Sequence, residues 1–534
     1  MASQNNNALS FLENLVSSQG DKVALNDGLR SLSYEVLWEQ LGKVAGLYKE
    51  KGLKAGDKII ICSSDTVDAA LALLGVVYMG AVVVPISELL SSLDLIKVIQ
   101  DSNAKAIVLS ERCKTIFEEV RHKNSDLESV FILGRPGDDL DFHELVETQE
   151  PTPIAVSQLD DPAFLLYSAA TQDDSKDPHI VGVSHQHRVA GLSYESFAQG
   201  FLNMTSEDRV LSMIRFSTAY GLSTGLLSPL MAGAEVVLMA EQPKTERVLE
   251  QLELTKPSVF LATPSIFGQL GRDCRAGGIE PPLKSARACV SGAEDMPAKV
   301  IDLARDFLGA EVTVGYGLTE CFQFVIAGSS SSGRRGACGT PLAGFEAKIL
   351  GDDGNVLGKN EIGTLLLRGQ AIASEYTDGN KIVQDDGWYK TADRFMTDAE
   401  GRFYHCGRED NQFKVSGKWV SPFEIENILV ANEAVWECAV IGADDEDGLM
   451  SPMAFVVCNI GYNPGPELTA SLRAFVKDQL APYKYPRWVQ YLKEMPKGPN
   501  GKILRYKLLE KIKGNASRRK PVTMTPPMRK ASDS

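Results

Sequence analysis

Short runs of apolar, β-prone residues recur between stretches with helical spacing, and that alternation restricts the fold more than any other feature of the chain. KIIICSS, AKAIVLS, RVLSMIRF, AEVVLMA and SVFLATP each stand beside a helical run. A strand buried on both faces loses the polar alternation of a half-exposed one, so the pattern predicts wound α/β domains with parallel sheets. The same reasoning applies to Ala69 to Ile86 (AALALLGVVYMGAVVVPI), an uncharged run that approaches the length of a membrane span. It reads as an apolar helix that stops near Gly80, followed by a short buried strand, VVVPI.

The texture changes twice. From about Gly336 the sequence becomes turn-rich and strand-rich, with DDGN as a hairpin turn, which predicts a smaller β subdomain. After GREDNQF, two helical runs (ENILVANEAV and LRAFVKDQLA) flank strands around WECAVIGA and MAFVVCNI, the signature of a separate small α+β domain starting near Asp410. A chain of 534 residues is too long for one core. The expected organisation is therefore an N-terminal domain, 1–409, of wound α/β subdomains plus a β subdomain, then a C-terminal domain, 410–513. The polar, basic, Pro-containing tail from Gly514 is expected to be disordered.

Composition narrows the function classes. A net charge of -15 argues against a broad nucleic-acid footprint, which needs a basic face, but leaves room for a local pocket that binds a small anion. The nine cysteines are scattered, with no CxxC pair and no His/Cys cluster at zinc-ligand spacing, so reduced thiols and no structural metal are expected. The start, MASQNNNALSFLENL, lacks a basic region followed by an apolar run. A cytoplasmic enzyme without a membrane partner is the expectation.

Six motifs then occur in order: the Tyr167 loop, SGAE (Ser291 to Glu294), GYGLTE (Gly315 to Glu320), DGWYKTAD (Asp386 to Asp393), GREDNQFKVSGKWVSPFEIE (Gly407 to Glu426) and PKGPNGKILR (Pro496 to Arg505). With them the chain resembles the adenylate-forming superfamily of acyl-CoA and aryl-CoA synthetases, adenylation domains and luciferases, over residues 10 to 512. The resemblance implies an acid-thiol ligase using ATP or acyl-AMP, CoA and Mg²⁺. It implies that Thr319 offers a hydroxyl to the α-phosphate and Glu320 an oxygen to Mg²⁺. Ala293, Glu294, Tyr316 and Gly317 would border the nucleotide, with Tyr316 against adenine, and Asp393 and Arg408 would hold the ribose. Lys502 would neutralise charge as the adenylate forms. Asp410 would be the hinge about which a small mobile C-terminal domain turns, and Gly417 would line the CoA channel. Ala392 replaces the family's usual glycine and is expected to tighten a turn.

The Tyr167 loop, YSAATQDDSKDPHIVGVSHQH, departs from the family's YSSGTTGxPKG. Aligning Tyr167, Ser168, Thr171, Pro178 and His185 puts Ala169, Ala170, Gln172, Asp173, His179 and Ile180 where the family has Ser, Gly, Thr, Gly, Lys and Gly; a second alignment uses Lys176 as the loop lysine. Bare backbone amides converge on phosphate oxygens, and side chains crowd them. Asp173, Asp174 and Asp177 add negative charge, and one carboxylate about 6 Å from a phosphate costs on the order of 3 kcal/mol at an effective dielectric of roughly 20. The alternative is a surface loop whose aspartates never face the nucleotide.

Two chemistries follow. Forming an acyl-adenylate requires holding the β- and γ-phosphates, whereas forming a thioester requires only bound acyl-AMP and access for CoA. The chain reads as an acyl- or aryl-CoA ligase with a weakened adenylation half. The alternatives are a half-enzyme supplied with acyl-AMP by a partner adenylating enzyme, an enzyme that loads a carrier-protein thiol, and a non-catalytic binding protein. SGKWVSPFEIE, AFVKDQLAPYKYPR and TAYGLSTGL resemble benzoate- and aminobenzoate-CoA ligases. Ala219, Tyr220 and Gly221 would then line the acyl pocket, with His185 at its border and Phe216, Phe322 and Phe324 as further apolar walls or plain core.

Overall fold

The computed structural model describes residues 5–121, 127–134, 141–170, 179–329, 336–416, 418–444, 449–459, 461–497 and 503–516. The chain divides into two compact units, the first running to Asp410 and the second starting at Asn411.

The first unit is built on two sheets. In a six-stranded sheet, Lys58–Cys62, Val82–Ile86, Ala106–Ser110 and Ser129–Leu133 run parallel, and the hairpin Pro162–Ala170/His179–Gln186 forms one edge. All five residues of Val82–Ile86 are buried, as the apolar run predicts. The helix before it, Val67–Tyr78, starts where Thr66 Oγ1 accepts from the Ala69 amide at 3.1 Å and is followed by Gly80 at φ +78°. At Gly75 a Cβ would lie 2.2 Å from Val44 Cγ1, so the glycine lets this helix pack against Tyr34–Glu50. Among the described residues no helix is long and apolar enough to cross a membrane.

Among the described residues the second sheet has thirteen strands, and it changes character along its width. Val259–Ala262, Ala288–Ser291 and Val312–Gly317 are parallel. Phe324–Ser329 then runs antiparallel to Val312–Gly317, and Ala337–Pro341, Phe403–Arg408, Tyr389–Thr397, Gly363–Gly369 and Phe345–Leu350 continue the antiparallel part. These last strands are the expected β subdomain, and Gly354 at φ +82° turns the predicted DDGN hairpin. The sheet thus changes from parallel to antiparallel beside Val312–Gly317, which carries the GYG motif.

The second unit has a three-stranded sheet of Val435–Asp444, Met450–Cys458 and Trp488–Tyr491, a hairpin of Phe413–Val415 and Lys418–Val420, and the helices Pro422–Ala431, Pro466–Lys477 and Arg505–Ala516. Arg505 grips Glu426 with its two terminal guanidinium nitrogens, Nη1 at 2.6 Å and Nη2 at 2.9 Å, and Nη1 also donates to the Val440 carbonyl at 2.8 Å.

Four expectations are corrected. The first predicted helix of this unit stops at Ala431, and Asn432 is extended, so the last residues of ENILVANEAV lead into the strand. In the other run, the helix ends at Lys477, short of QLA. The final helix continues to Ala516, past the expected start of the tail at Gly514, and 517–534 lie outside the described residues. Ala392 tightens no turn, because it lies inside the strand Tyr389–Thr397.

Candidate active site

Antiparallel pairing of Tyr389–Thr397 with Phe403–Arg408 sets Asp393 opposite Arg408 and Phe395 opposite His405, with a bulge between. That register gathers one charged cluster. Asp393 is 4% exposed; its Oδ2 accepts from the Tyr316 hydroxyl at 2.6 Å, and its Oδ1 faces His405 Nε2 at 3.3 Å and Arg408 Nη1 at 3.5 Å. Burial opposes its charge, yet His405, Arg408 and the Tyr316 hydroxyl outweigh burial and hold the carboxyl down to about 2. The other nitrogen of His405, Nδ1, meets Asp295 Oδ1 at 2.6 Å. Burial works against the imidazolium, but the two carboxylates win and push its pKa up to about 10. His405 is therefore a cation at neutral pH and donates from both nitrogens.

Tyr316, Asp393 and Arg408 are thus brought together as the motifs imply, and His405 and Asp295 join them without having been singled out. The Tyr316 ring packs edge-on to Phe395 at 4.8 Å between centroids. A carboxylate offers about four lone-pair positions, and three protein groups leave Asp393 room for one further hydroxyl donor.

The run that carries Tyr316 continues into a second cluster. At Gly317 a Cβ would lie 2.4 Å from the Gln323 carbonyl oxygen, so glycine is what fits there. Thr319 opens the short turn Thr319–Cys321, and its carbonyl accepts from His185 Nε2 at 2.8 Å. Glu320 is 7% exposed and accepts the Tyr376 hydroxyl on Oε1 at 2.8 Å. His185 lies wholly buried, 5.2 Å from the Phe322 ring; burial draws its pKa down to about 4 against the Thr319 carbonyl, so the ring is neutral at pH 7. Its Nδ1 has no hydrogen-bond partner among the described residues.

Tyr376 and Thr377 tie this cluster to the hairpin. Tyr376 bridges to Val183, and Thr377 exchanges bonds with Gly182: its amide donates to the Gly182 carbonyl at 2.9 Å and its Oγ1 accepts from the Gly182 amide at 3.1 Å. The Thr377 hydroxyl also donates to Asp101 Oδ2 at 2.9 Å, where the Tyr167 hydroxyl donates at 2.7 Å.

On the remaining side, the Tyr220 hydroxyl donates to the Val290 carbonyl at 3.2 Å and its ring lies 4.5 Å from Phe324. Ala219 is buried beside it, and at Gly221 a Cβ would lie 2.0 Å from the Arg215 carbonyl oxygen. Phe216, Phe322 and Phe324 belong to the hydrophobic core. Ala293, at φ +71°, takes a left-handed conformation in the turn after Ser291, and the next residue, Glu294, accepts the Ser265 hydroxyl on Oε2 at 2.8 Å.

The Tyr167 region departs from expectation. Tyr167 to Ala170 and His179 to Gln186 are not loop: they pair strand to strand, closing with Ser168↔Val181, Ala169↔Ile180 and Ala170↔His179. Alanine and isoleucine at family glycine positions let the ladder continue where glycines favour a loop. Asp173, Asp174, Lys176 and Asp177 lie outside the described residues, as do Gly417 and Lys502; the Asp410 backbone is in the turn Glu409–Asn411, and its side chain is not described.

With this geometry in hand, comparison with known proteins is informative. The profile of the AMP-binding enzyme family matches residues 12–377, and that of the AMP-binding enzyme C-terminal domain matches residues 424–502. A benzoate–CoA ligase of Thauera aromatica is 32% identical over 93% of this chain and 94% of its own length. A 4-hydroxybenzoate–CoA/benzoate–CoA ligase of Rhodopseudomonas palustris is also 32% identical, over 95% and 94%. The crystal structure of the anthranilate CoA ligase AuaEII in complex with anthranoyl-AMP superposes with a TM-score of 0.89 at 28% identity, covering 96% of this chain and 98% of that one.

Proposed function

The chain belongs to the AMP-binding enzyme family, and from that premise we propose that it is an acid-thiol ligase that joins an aryl carboxylic acid to CoA through an acyl-adenylate. The carrying observation is the ionised Asp393, buried and held by Tyr316, His405 and Arg408 with one lone-pair position to spare. Asp393 and Arg408 hold the ribose hydroxyls, and Tyr316 and Gly317 border the base with the Ala293–Glu294 turn. In the first half-reaction the substrate carboxylate attacks the α-phosphorus of ATP and pyrophosphate leaves. Thr319 donates its hydroxyl to the α-phosphate, and Lys502 balances the charge between carboxylate and phosphate. In the second, the CoA sulfur attacks the acyl carbon and AMP leaves; Gly417 gives the thiol arm room, and rotation about Asp410 exchanges the two arrangements.

Glu320 suits a Mg²⁺ site made of one protein carboxylate plus substrate phosphates, since Tyr376 occupies only one of its oxygens. Bound there, the ion would offset phosphate charge. Ala219, Tyr220 and Gly221 shape the acyl pocket, and neutral His185 borders it without adding charge near a carboxylate. The benzoate and anthranilate specificities of the relatives support an aryl acid.

The pairing of Ala170 with His179 favours a second reading, in which the adenylation half is weak and the thioester half is intact. Amides turned into a strand ladder are taken, and three aspartates follow in the segment between the strands. The test supplies a set of aroyl-adenylates with CoA, in parallel with the matching free acids plus ATP, Mg²⁺ and CoA. Thioester from both supports the ligase, and thioester much faster from the adenylate supports the weakened half. No thioester from any adenylate would refute both.

A further inference from the structure

One pair of reactive side chains has no part in the chemistry above. Cys62 ends the strand Lys58–Cys62, and Cys113 ends the short turn Glu111–Cys113 that follows Ala106–Ser110. The two strands are parallel neighbours with Cys62 opposite Leu109, so the turn brings Cys113 back over the strand end. Their sulfurs lie 3.5 Å apart across 51 positions of sequence. Both side chains are buried, but a recess of about 200 Å³, counting the solvent at its mouth, adjoins them. Ser87, Glu88, Leu90, Leu95 and Ile116 line it; Leu95 is buried and the other four are partly exposed.

We propose that Cys62 and Cys113 form a redox-active dithiol that hydrogen peroxide converts to an intramolecular disulfide. Cys113 is the attacking sulfur. The Cys62 thiol donates to it, the Ser110 hydroxyl donates at 3.3 Å and Arg112 adds positive charge, which lower its pKa against burial and the nearby Glu88. The same pairing, with burial, raises the Cys62 pKa, so Cys62 keeps its proton. The Cys113 thiolate attacks the peroxide: an S–O bond forms, the O–O bond breaks, and hydroxide leaves and takes a proton from solvent. The Cys62 sulfur then attacks the sulfenic sulfur: the S–S bond forms, the S–O bond breaks, and the hydroxyl departs with the Cys62 proton as water. Two thiols and one peroxide yield one disulfide and two waters.

The sulfurs need to close by about 1.5 Å to reach a bond of about 2 Å. Cys113 sits in a turn after the strand, where a shift disturbs no ladder bond. Closing a loop of this length restricts the unfolded chain, so the oxidised protein should melt at a higher temperature than the reduced one.

The test exposes the intact folded chain to a small excess of hydrogen peroxide, alkylates the remaining thiols after denaturation and maps the peptides by mass spectrometry. A Cys62–Cys113 cross-linked peptide is expected, reversed by dithiothreitol, while the buried Cys274 and Cys289 are recovered alkylated. In Cys62→Ser, Cys113 should instead be captured by dimedone as a sulfenic acid, and in Cys113→Ser, Cys62 should remain a free thiol. Recovery of both sulfurs alkylated in the peroxide-treated wild-type chain would overturn the proposal, as would a cross-link that forms only when denaturant is present during oxidation.

Discussion

Two histidines in the first unit, His185 wholly buried and His405 with a side chain 15% exposed, face opposite electrostatic surroundings. His185 is enclosed by the Phe322 ring and one backbone carbonyl, and burial alone takes its pKa down to about 4. His405 is held between Asp295 and Asp393, and the carboxylates overcome burial to take it up to about 10. The same ring is neutral in one place and cationic in the other, and although burial opposes the charge of both, the carboxylates beside His405 decide the difference. The contrast fits the proposed roles: a neutral ring beside the acyl group, and a fixed cation that keeps the ribose-holding carboxylate ionised.

The largest effect is expected from removing the cation. His405→Ala takes a cation from both Asp393 and Asp295 while Tyr316 and Arg408 still hold Asp393, and should cost about 3 kcal/mol of stability, the upper end for hydrogen bonds to charged groups because two are lost together. Denaturant unfolding measures it, and His405→Gln, which can still donate to one carboxylate, should recover part of the loss. If His405→Ala is as stable as wild type, the histidine is not a stabilising cation and the comparison fails.

A smaller effect is expected at the nucleotide. Asp393→Ala should weaken binding of a non-hydrolysable acyl-AMP analogue by about 1 to 3 kcal/mol, the worth of hydrogen bonds to a charged acceptor. Calorimetry giving wild-type affinity would remove Asp393 from the ribose site. His185→Gln, on the other side of the comparison, should leave the affinity for AMP, which presents no acyl group, unchanged.

The smallest effect is in the shape of stability against pH. The lowered pKa of His185 means that the unfolded chain binds its proton first, so this contribution is present above about 6.5 and is lost as pH falls toward 4. The raised pKa of His405 acts in the other direction: its contribution is present below about 6.5 and is lost as pH rises toward 10. Thermal midpoints across this range should therefore fall on both limbs. His405→Gln should flatten the alkaline limb alone, and an unchanged alkaline limb would contradict the assignment.

How far this site was legible depended on whether a residue acts through its own motif or through its neighbours. Tyr316, Thr319, Glu320, Asp393 and Arg408 stand in runs whose order carries the family resemblance. His405 and Asp295 do not: their importance comes from the register that sets Phe395 against His405 and Asp393 against Arg408, with a bulge that no local pattern specifies. Reading KTADRFM and GRFYHCGR as two arms of one hairpin around Asp398 to Gly401 was the available signal for His405. Tyr376 offered less, since its contact with Glu320 spans 56 positions. In the fold, the apolar strands were legible because burial on both faces dictates their composition, whereas the ends of Pro422–Ala431 and Arg505–Ala516 were not, because helix ends depend on local capping. The Tyr167 region was read as loop because its alignment was borrowed from glycine-rich relatives, while its own alanines and isoleucine permit a strand.

The pair Tyr376 and Thr377 has a consequence for how this chain tolerates insertion and deletion. Tyr376 pairs with Val183 and Thr377 begins the turn that the Gly379 amide closes on the Tyr376 carbonyl, so the two side chains part here: one hydroxyl reaches Glu320 while the next reaches Asp101. The bridge to Val183 and the bonds to Gly182 hold that register. Gain or loss of a single residue in the stretch Gln370 to Glu375 would shift the register by one and send each hydroxyl to the wrong side, breaking both bonds at once. Changes of composition there are tolerable in a way that changes of length are not, so the length of this loop should be far more constrained than its sequence.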